Sequence, residues 1–223
     1  MGYKLTWVYI GQTKVRPTEW HPSSDTLAYY PFAWDVENKV DSSTATLGSG
    51  SSIWSDYATV NNSIITCPIT ETLNWSWTPY TFSIWEQVYQ RPSYNPRLTY
   101  NNAFYIIITS SERKVITDWD ADAPSSSTYC WIAAGLWTWC HIVLTYDGTS
   151  STSYVYVNGV KFTYPHATLT TWTWISTDIQ LWLNNSLDGA YFYLSKFILE
   201  KKQRTDQEVL DYYNQTKSDY WIS

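Results

Sequence analysis

Polar and apolar positions alternate in short runs along most of the chain, and the turns between runs are rich in Gly, Asn, Asp and Ser. A period of two sends successive side chains to opposite faces of an extended strand, so these runs predict half-buried strands. Residues 136–162, LWTWCHIVLTYDGTSSTSYVYVNGVKF, alternate, turn at DGTSS and alternate again. Val155 and Val157 fall on one face, Tyr154, Tyr156 and Asn158 on the other. Asn158-Gly159 predicts a tight hairpin, because both residues accept the positive φ that a type I′ turn demands.

The same pattern recurs elsewhere. Residues 3–16 form two short runs separated by Gly11 and Gln12, a small hairpin with Leu5, Trp7 and Tyr9 on one face. TLAYYPF (26–32) reads as an edge strand ending near Pro31, and 41–52 as a polar turn region too short to join two domains. NNSIIT (61–66), YTFSIWEQVY (80–89), YCWIAAGL (129–136), WTWCHIVLTYD (137–147), DIQLWLNN (178–185) and GAYFYLSKFILEK (189–201) supply further strands. AFYIIITSS (103–111) is a continuous apolar run, as in a strand buried on both faces. One helix stands out at 205–215: Thr205 and Glu208 have capping-box spacing, and Val209, Leu210, Tyr212 and Tyr213 give an apolar face. Ten or so strands and one helix predict an all-β, antiparallel β-sandwich or a barrel.

Length and composition agree. The 223 residues suit one large β domain, at 21–223, preceded by the hairpin at 1–20, which we expect to serve assembly because a lone two-stranded hairpin is marginal in water. Aromatic residues make up 18%, with 15 Trp and 20 Tyr, and charged residues only 15%. The formal charge of −6 is the wrong sign for a phosphate-binding field, so nucleic acid is not an expected partner. No apolar run is long enough to insert in a membrane, and the start lacks the pattern of a signal peptide. The protein is therefore expected to stay in the cytoplasm, to leave by assembling into a larger particle, or to be a trimmed piece of a longer chain. Cys130 and Cys140 flank WIAAGLWTW, a candidate hairpin centred near Gly135, across which they would form a disulfide or stay as buried thiols.

WCHIVLTYDGTSSTSYVYVNGV resembles the laminin-G-like, or concanavalin A-like, lectin-glucanase jelly-roll family, in which an aromatic-x-His-Ile/Val strand leads to TYDG and a strand ending YVNG. LAYYPFAWDVEN is similar to that family's first core strand and turn, and LNNSLDGAYFYLSKFILEKKQRTDQEVLDYYNQ to its last strand and C-terminal helix. The resemblance implies a jelly roll that recognises glycans. It places Asp35 and Asp188 in turns like the family's Ca²⁺ region, implying a bound Ca²⁺; otherwise Asp188-Gly189 is a plain turn. Trp34, Trp139 and Trp182 depart from the pattern, standing where such proteins often carry Gly or a small or polar residue. A source that reads UGA as Trp and selection for an aromatic surface both account for this. VYIGQTKVRP resembles a short leader on phage- and prophage-associated proteins, implying virion proteins as partners and a virion or cell surface as location.

Catalysis has little support. A retaining glycosidase needs two carboxylates about 5–5.5 Å apart, and no Glu-x-Asp-x-Glu strand occurs. Asp118, Asp120 and Asp122 alternate in a loop, as solvated residues or as Ca²⁺ ligands. His141 occupies a framework position of the strand, and no G-x-S-x-G elbow accompanies His21, His141 or His166. Trp54, Trp119, Trp172 and Trp174 fall in or beside predicted loops, where they would stack on sugar rings, pack an interface of self-association or fill the core. The expected function is a non-catalytic adhesive or carbohydrate-binding module of a virion or surface particle. A purely structural capsid or tail protein is the alternative, and a glycoside hydrolase a distant third.

Overall fold

The computed structural model describes residues 8–10, 13–15, 22–61, 63–74, 78–90, 97–100, 104–108, 113–116, 129–132, 137–149, 153–162, 175–184 and 191–220. They form an antiparallel β-sandwich of the jelly-roll kind with one C-terminal α-helix. The strands are β1 (Val8–Ile10), β2 (Thr13–Val15), β3 (Thr26–Tyr30), β4 (Thr46–Leu47), β5 (Ser51–Ile53), β6 (Ala58–Val60), β7 (Ile64–Asn74), β8 (Tyr80–Gln90), β9 (Arg97–Tyr100), β10 (Phe104–Ile108), β11 (Arg113–Ile116), β12 (Tyr129–Ile132), β13 (Trp139–Tyr146), β14 (Ser153–Val157), β15 (Val160–Phe162), β16 (Ile175–Asn184) and β17 (Tyr191–Glu200). One sheet runs β12-β11-β10-β9-β16-β7-β4; the other runs β15-β14-β13-β8-β17-β6-β5, with β3 also paired to β17. β1 and β2 pair only with each other among the described strands, with Tyr9 opposite Lys14.

Alternation fills the space between the sheets. Tyr80, Phe82, Ile84 and Val88 of β8 meet Cys140, Ile142 and Leu144 of β13, Val155 and Val157 of β14 and Phe192, Leu194 and Phe197 of β17 in one core, joined from the opposite sheet by Ile65, Cys67, Ile179 and Leu181. The predicted Asn158-Gly159 turn closes β14 onto β15 with φ of 51° and 78°. It is also tied to the HIV strand: His141 N–H donates to Asn158 Oδ1 at 2.9 Å, and Asn158 N–H donates to the His141 carbonyl at 2.9 Å. Gly159 has a second reason to be glycine, since a Cβ there would sit 3.0 Å from Leu210 Cδ1.

The half-buried expectation fails for β3 and most of β13, whose residues are buried on both faces. The cause is α1 (Asp206–Thr216), which covers the outer face of the β8-containing sheet. Val209 packs with Val143 and Tyr156, and Tyr212 with Tyr29 and Ile198. Thr216 Oγ1 donates to the Tyr212 carbonyl at 2.8 Å and accepts from Trp85 Nε1 at 3.2 Å, fastening the helix end to β8. Leu210, expected on the apolar face, is instead 37% exposed, because 209, 212 and 216 define the stripe that faces the sheet. The capping box is present: Thr205 Oγ1 accepts from Glu208 N–H, and Glu208 Oε2 accepts from Thr205 N–H at 2.8 Å. That bond, with Lys202 on the other carboxylate oxygen, pushes Glu208 down to about 2.

Cys130 and Cys140 do not flank a hairpin. Cys130 pairs with Val115 at the edge of one sheet, while Cys140 lies opposite Glu86 in the other. β12 and β13 thus belong to different sheets, and Cys140 is a buried free thiol, as is Cys67. The strand expected at 61–66 starts at Ile64 and continues to Asn74, paired with β16 across a register shift between Ser176 and Asp178.

His141 is part of this framework. It is fully buried, Nε2 shares a 2.8 Å hydrogen bond with Ser83 Oγ, and the ring lies 5.0 Å from Trp85 and 5.2 Å from Tyr212. Burial, reinforced by the charges of Arg204 and Lys196, pushes the imidazole down to about 3. A dyad sealed under the helix has no route to substrate.

Two outcomes follow from these contacts. Thr205→Ala is expected to lower stability by about 1 kcal/mol, read as a drop in denaturant midpoint at unchanged m-value. Because His141 is neutral in the fold and protonates at its ordinary value once unfolded, stability should fall as pH drops from about 6.5 towards about 3, by up to about 1.4 kcal/mol per pH unit. His141→Gln should flatten that slope, and an unchanged slope would place the acid sensitivity elsewhere.

Candidate functional site

β17 changes neighbours halfway along. Phe192–Leu194 pair with β6 and Phe197–Glu200 with β3 on the same side, and the pairing with β8 shifts between Ser195 and Ile198. Lys196 at the break has φ of 48°. Two loops enter at this gap, one following β3 and one joining β5 to β6. Ser195 Oγ donates to the Pro31 carbonyl at 3.3 Å and to the Asp56 carbonyl at 2.9 Å, and Lys196 N–H donates to the Pro31 carbonyl at 3.3 Å. A bulge thus re-aims the strand and anchors both loops.

The loops carry large aromatic residues into solvent. Trp34 N–H donates to the Trp54 carbonyl at 3.0 Å, and Trp54 N–H to the Tyr57 carbonyl at 2.8 Å, so three aromatic residues stand on linked backbone. Trp34 is 81% exposed and Trp54 56%. Tyr57 stacks on Tyr193 of β17 at 4.4 Å and lies 6.2 Å from Trp139 of β13. Trp139 packs at 4.7 Å on Tyr220 of the 3₁₀ turn Lys217–Tyr220, which stacks on Trp85 at 4.1 Å. Trp137, 57% exposed, precedes Trp139; its N–H donates to the Val88 carbonyl and its carbonyl accepts from Gln87 Nε2. The result is a rim of half-buried rings on the sheet with exposed indoles at its margin.

The backbone at this rim is costly. Phe32, Trp34 and Trp137 have φ of 52°, 66° and 68°. The left-handed region costs a residue with a Cβ about 1–2 kcal/mol. Phe32 offsets this by burying its ring 5.8 Å from Tyr30. Trp34 and Trp137 leave most of their surface in water.

Of the expected sugar-binding residues, Trp54 stands in this rim; Trp119, Trp172 and Trp174 lie outside the described residues. Leu5, Trp7 and Asp188 do as well, and Tyr9 sits in β1. Asp35 follows Trp34, but its carboxylate already accepts from Lys39 Nζ at 2.9 Å and Glu37 N–H at 3.1 Å, and Lys39 also bonds Glu37 at 2.8 Å. Asp35 thus pairs with an ammonium, its expected Ca²⁺ partner Asp188 lies outside the described residues, and no cluster of three metal-ligating side chains gathers among the described ones. Trp137, Tyr57 and Tyr193 were not singled out from sequence, and Trp34 and Trp139 only as departures from the jelly-roll pattern. Rings separated by 50 or more positions meet only once the sheet is assembled.

No family model and no curated protein sequence matches the chain. Its fold is similar to solved binding domains of botulinum neurotoxins. The serotype G binding domain is 16% identical with a TM-score of 0.68, over 86% of this chain and 51% of that one. The binding domain of neurotoxin DC, solved with rat synaptotagmin II, is 12% identical with a TM-score of 0.65, over 85% and 51%. A neurotoxin type C structure, concerned with cell entry through two ganglioside molecules, is 11% identical with a TM-score of 0.63, over 85% and 51%. The chain spans about half the length of these structures, and at such identities the likeness is one of fold: a β-sandwich.

Proposed function

We propose that this protein is a non-catalytic carbohydrate-binding module that holds glycans against the aromatic rim of Trp34, Trp54, Tyr57 and Trp137. The observation that carries this reading is Trp34, an indole 81% exposed on a residue with φ of 66°. Glycine would relieve the backbone there, and solvent gives the indole nothing in return. An outlier of this kind at a surface supports a role for its side chain. Indole faces suit the apolar faces of pyranose rings, while Asp56, Ser55 and Gln87 supply hydrogen-bonding groups beside them. Stacking and hydrogen bonding require no reaction. The dependence of neurotoxin type C entry on two gangliosides supports carbohydrate recognition on this fold.

A glycan array tests the assignment. Trp54→Ala should weaken binding by about 0.5–1.5 kcal/mol, or up to roughly tenfold in affinity. Trp34→Gly should weaken it similarly while leaving the melting temperature unchanged or raised. A large loss of stability in Trp34→Gly would make the residue a packing element and remove the reading's support.

The hairpin carries a second, finer proposal: adhesion on a larger particle. β1 and β2 form a two-stranded sheet of their own, marginal unless something packs on it. Deleting residues 1–17 should leave a folded sandwich of lower oligomer mass. A truncated chain with unchanged mass, or one that does not fold, would remove the assembly role.

A further inference from the structure

A stacking rim does not by itself choose between neutral and acidic sugars, because both present an apolar ring face. The charged groups around it make that choice. Asp35 and Glu37 follow Trp34, and Lys39 bonds both, so two carboxylates and one ammonium leave one net negative charge. Asp56, between Trp54 and Tyr57, is exposed and adds a second; its carboxylate accepts from Ser55 Oγ at 3.0 Å. Of the lysines brought to this end of the sheet, Lys196 is engaged by Asp219 and lies 5.6 Å from the centre of the Tyr220 ring, while Lys217 lies farther along the row, 5.8 Å from the centre of the Tyr213 ring. An anionic sugar at Trp34 and Trp54 would therefore approach like charge, and Lys39 and Lys196 are already held by carboxylates. A neutral sugar instead offers hydroxyl donors to Asp56, and hydrogen bonds to an ionised acceptor are the stronger kind.

Taking the rim as the glycan site, we propose that it selects neutral, hydroxyl-rich glycans and discriminates against sialylated ones. The charges act here as a filter, and the rings supply adhesion common to both classes. Like-charge juxtaposition at an interface is a recognised source of such rejection.

The test uses the full chain against oligosaccharides printed in pairs, each with and without a terminal sialic acid. The neutral member of a pair should bind roughly tenfold more tightly. The gap should narrow as salt rises from about 0.05 to about 0.5 M, since exposed charges are screened. Glu37→Gln, which leaves Lys39 with one carboxylate partner, should raise sialylated binding and leave neutral binding unchanged. Equal or tighter binding of the sialylated members overturns the selectivity while leaving the rim as a glycan site. Neutral binding that is indifferent to Trp54→Ala moves the site elsewhere and overturns the selectivity with it. Retention of no printed glycan overturns both.

Discussion

The change of partner in β17 is the constraint on which the rest of the molecule depends. One side of a strand can bond only one neighbour at a time, yet β6 and β3 both need this side. The shift at Ser195–Lys196 divides the strand between them, and Phe192, Leu194, Phe197 and Leu199 still reach the core on either side of the break. The division leaves a notch at the sheet surface. Backbone carbonyls of Pro31 and Asp56 fill it by accepting from Ser195, and the indoles of Trp34 and Trp54 stand on the same two loops. Strand geometry inside the sandwich thereby fixes which aromatic residues meet outside it.

The outer face of the same sheet couples this surface to the C-terminal helix. Trp85 and His141 lie under the helix and stack on its Tyr213, Tyr220 follows it, and Trp139 and Tyr57 continue the line of rings to Tyr193. The helix does more than cap a greasy face. The 3₁₀ turn that follows it brings Tyr220 against Trp139 while the β5–β6 loop brings Tyr57 beside the same ring, which holds the half-buried part of the rim in place. Rigidity of this kind limits the entropy lost when a ligand stacks on it. The buried Arg204–Glu200 pair and the Thr81 hydroxyl, bonded to both Lys202 O and Arg204 N, secure the turn into the helix and so the whole row.

Local chemistry was legible in the sequence wherever a short stretch decides its own geometry. Asn158-Gly159 closes a hairpin because only such residues adopt both positive φ values readily, and Thr205 with Glu208 caps the helix because each satisfies the other's backbone. The β-sandwich class followed from alternation repeated at regular intervals. What a period of two does not encode is what covers the second face, so β13 and β3 read as half-buried and are buried throughout once the helix docks. Cys130 and Cys140 read as hairpin partners because only nine residues separate them, but β12 and β13 belong to different sheets. The rim was legible only at Trp54. Trp137 and Tyr57 look like any other aromatic residue until their backbone conformation and exposure are known.

The tryptophans that depart from the jelly-roll pattern separate by physical circumstance. Trp139 is half-buried between Tyr57 and Tyr220, so its ring is accounted for by packing, and a glycine there would remove the bridge between helix and loop. Trp34 has no such account: its left-handed backbone explains why glycine suits the position, and its exposure means that packing does not explain the indole. Trp137, just before β13 of the same sheet, shares the left-handed backbone and the exposure. A reassigned codon alone would put Trp wherever the message carried UGA, without regard to neighbours. Where that codon stands at a position that glycine suits, the outcome is a strained, exposed indole, as at Trp34 and Trp137. Selection for an aromatic surface gives the same arrangement only if a ligand lying across several rings gains more from each ring than the 1–2 kcal/mol or so that the backbone gives up.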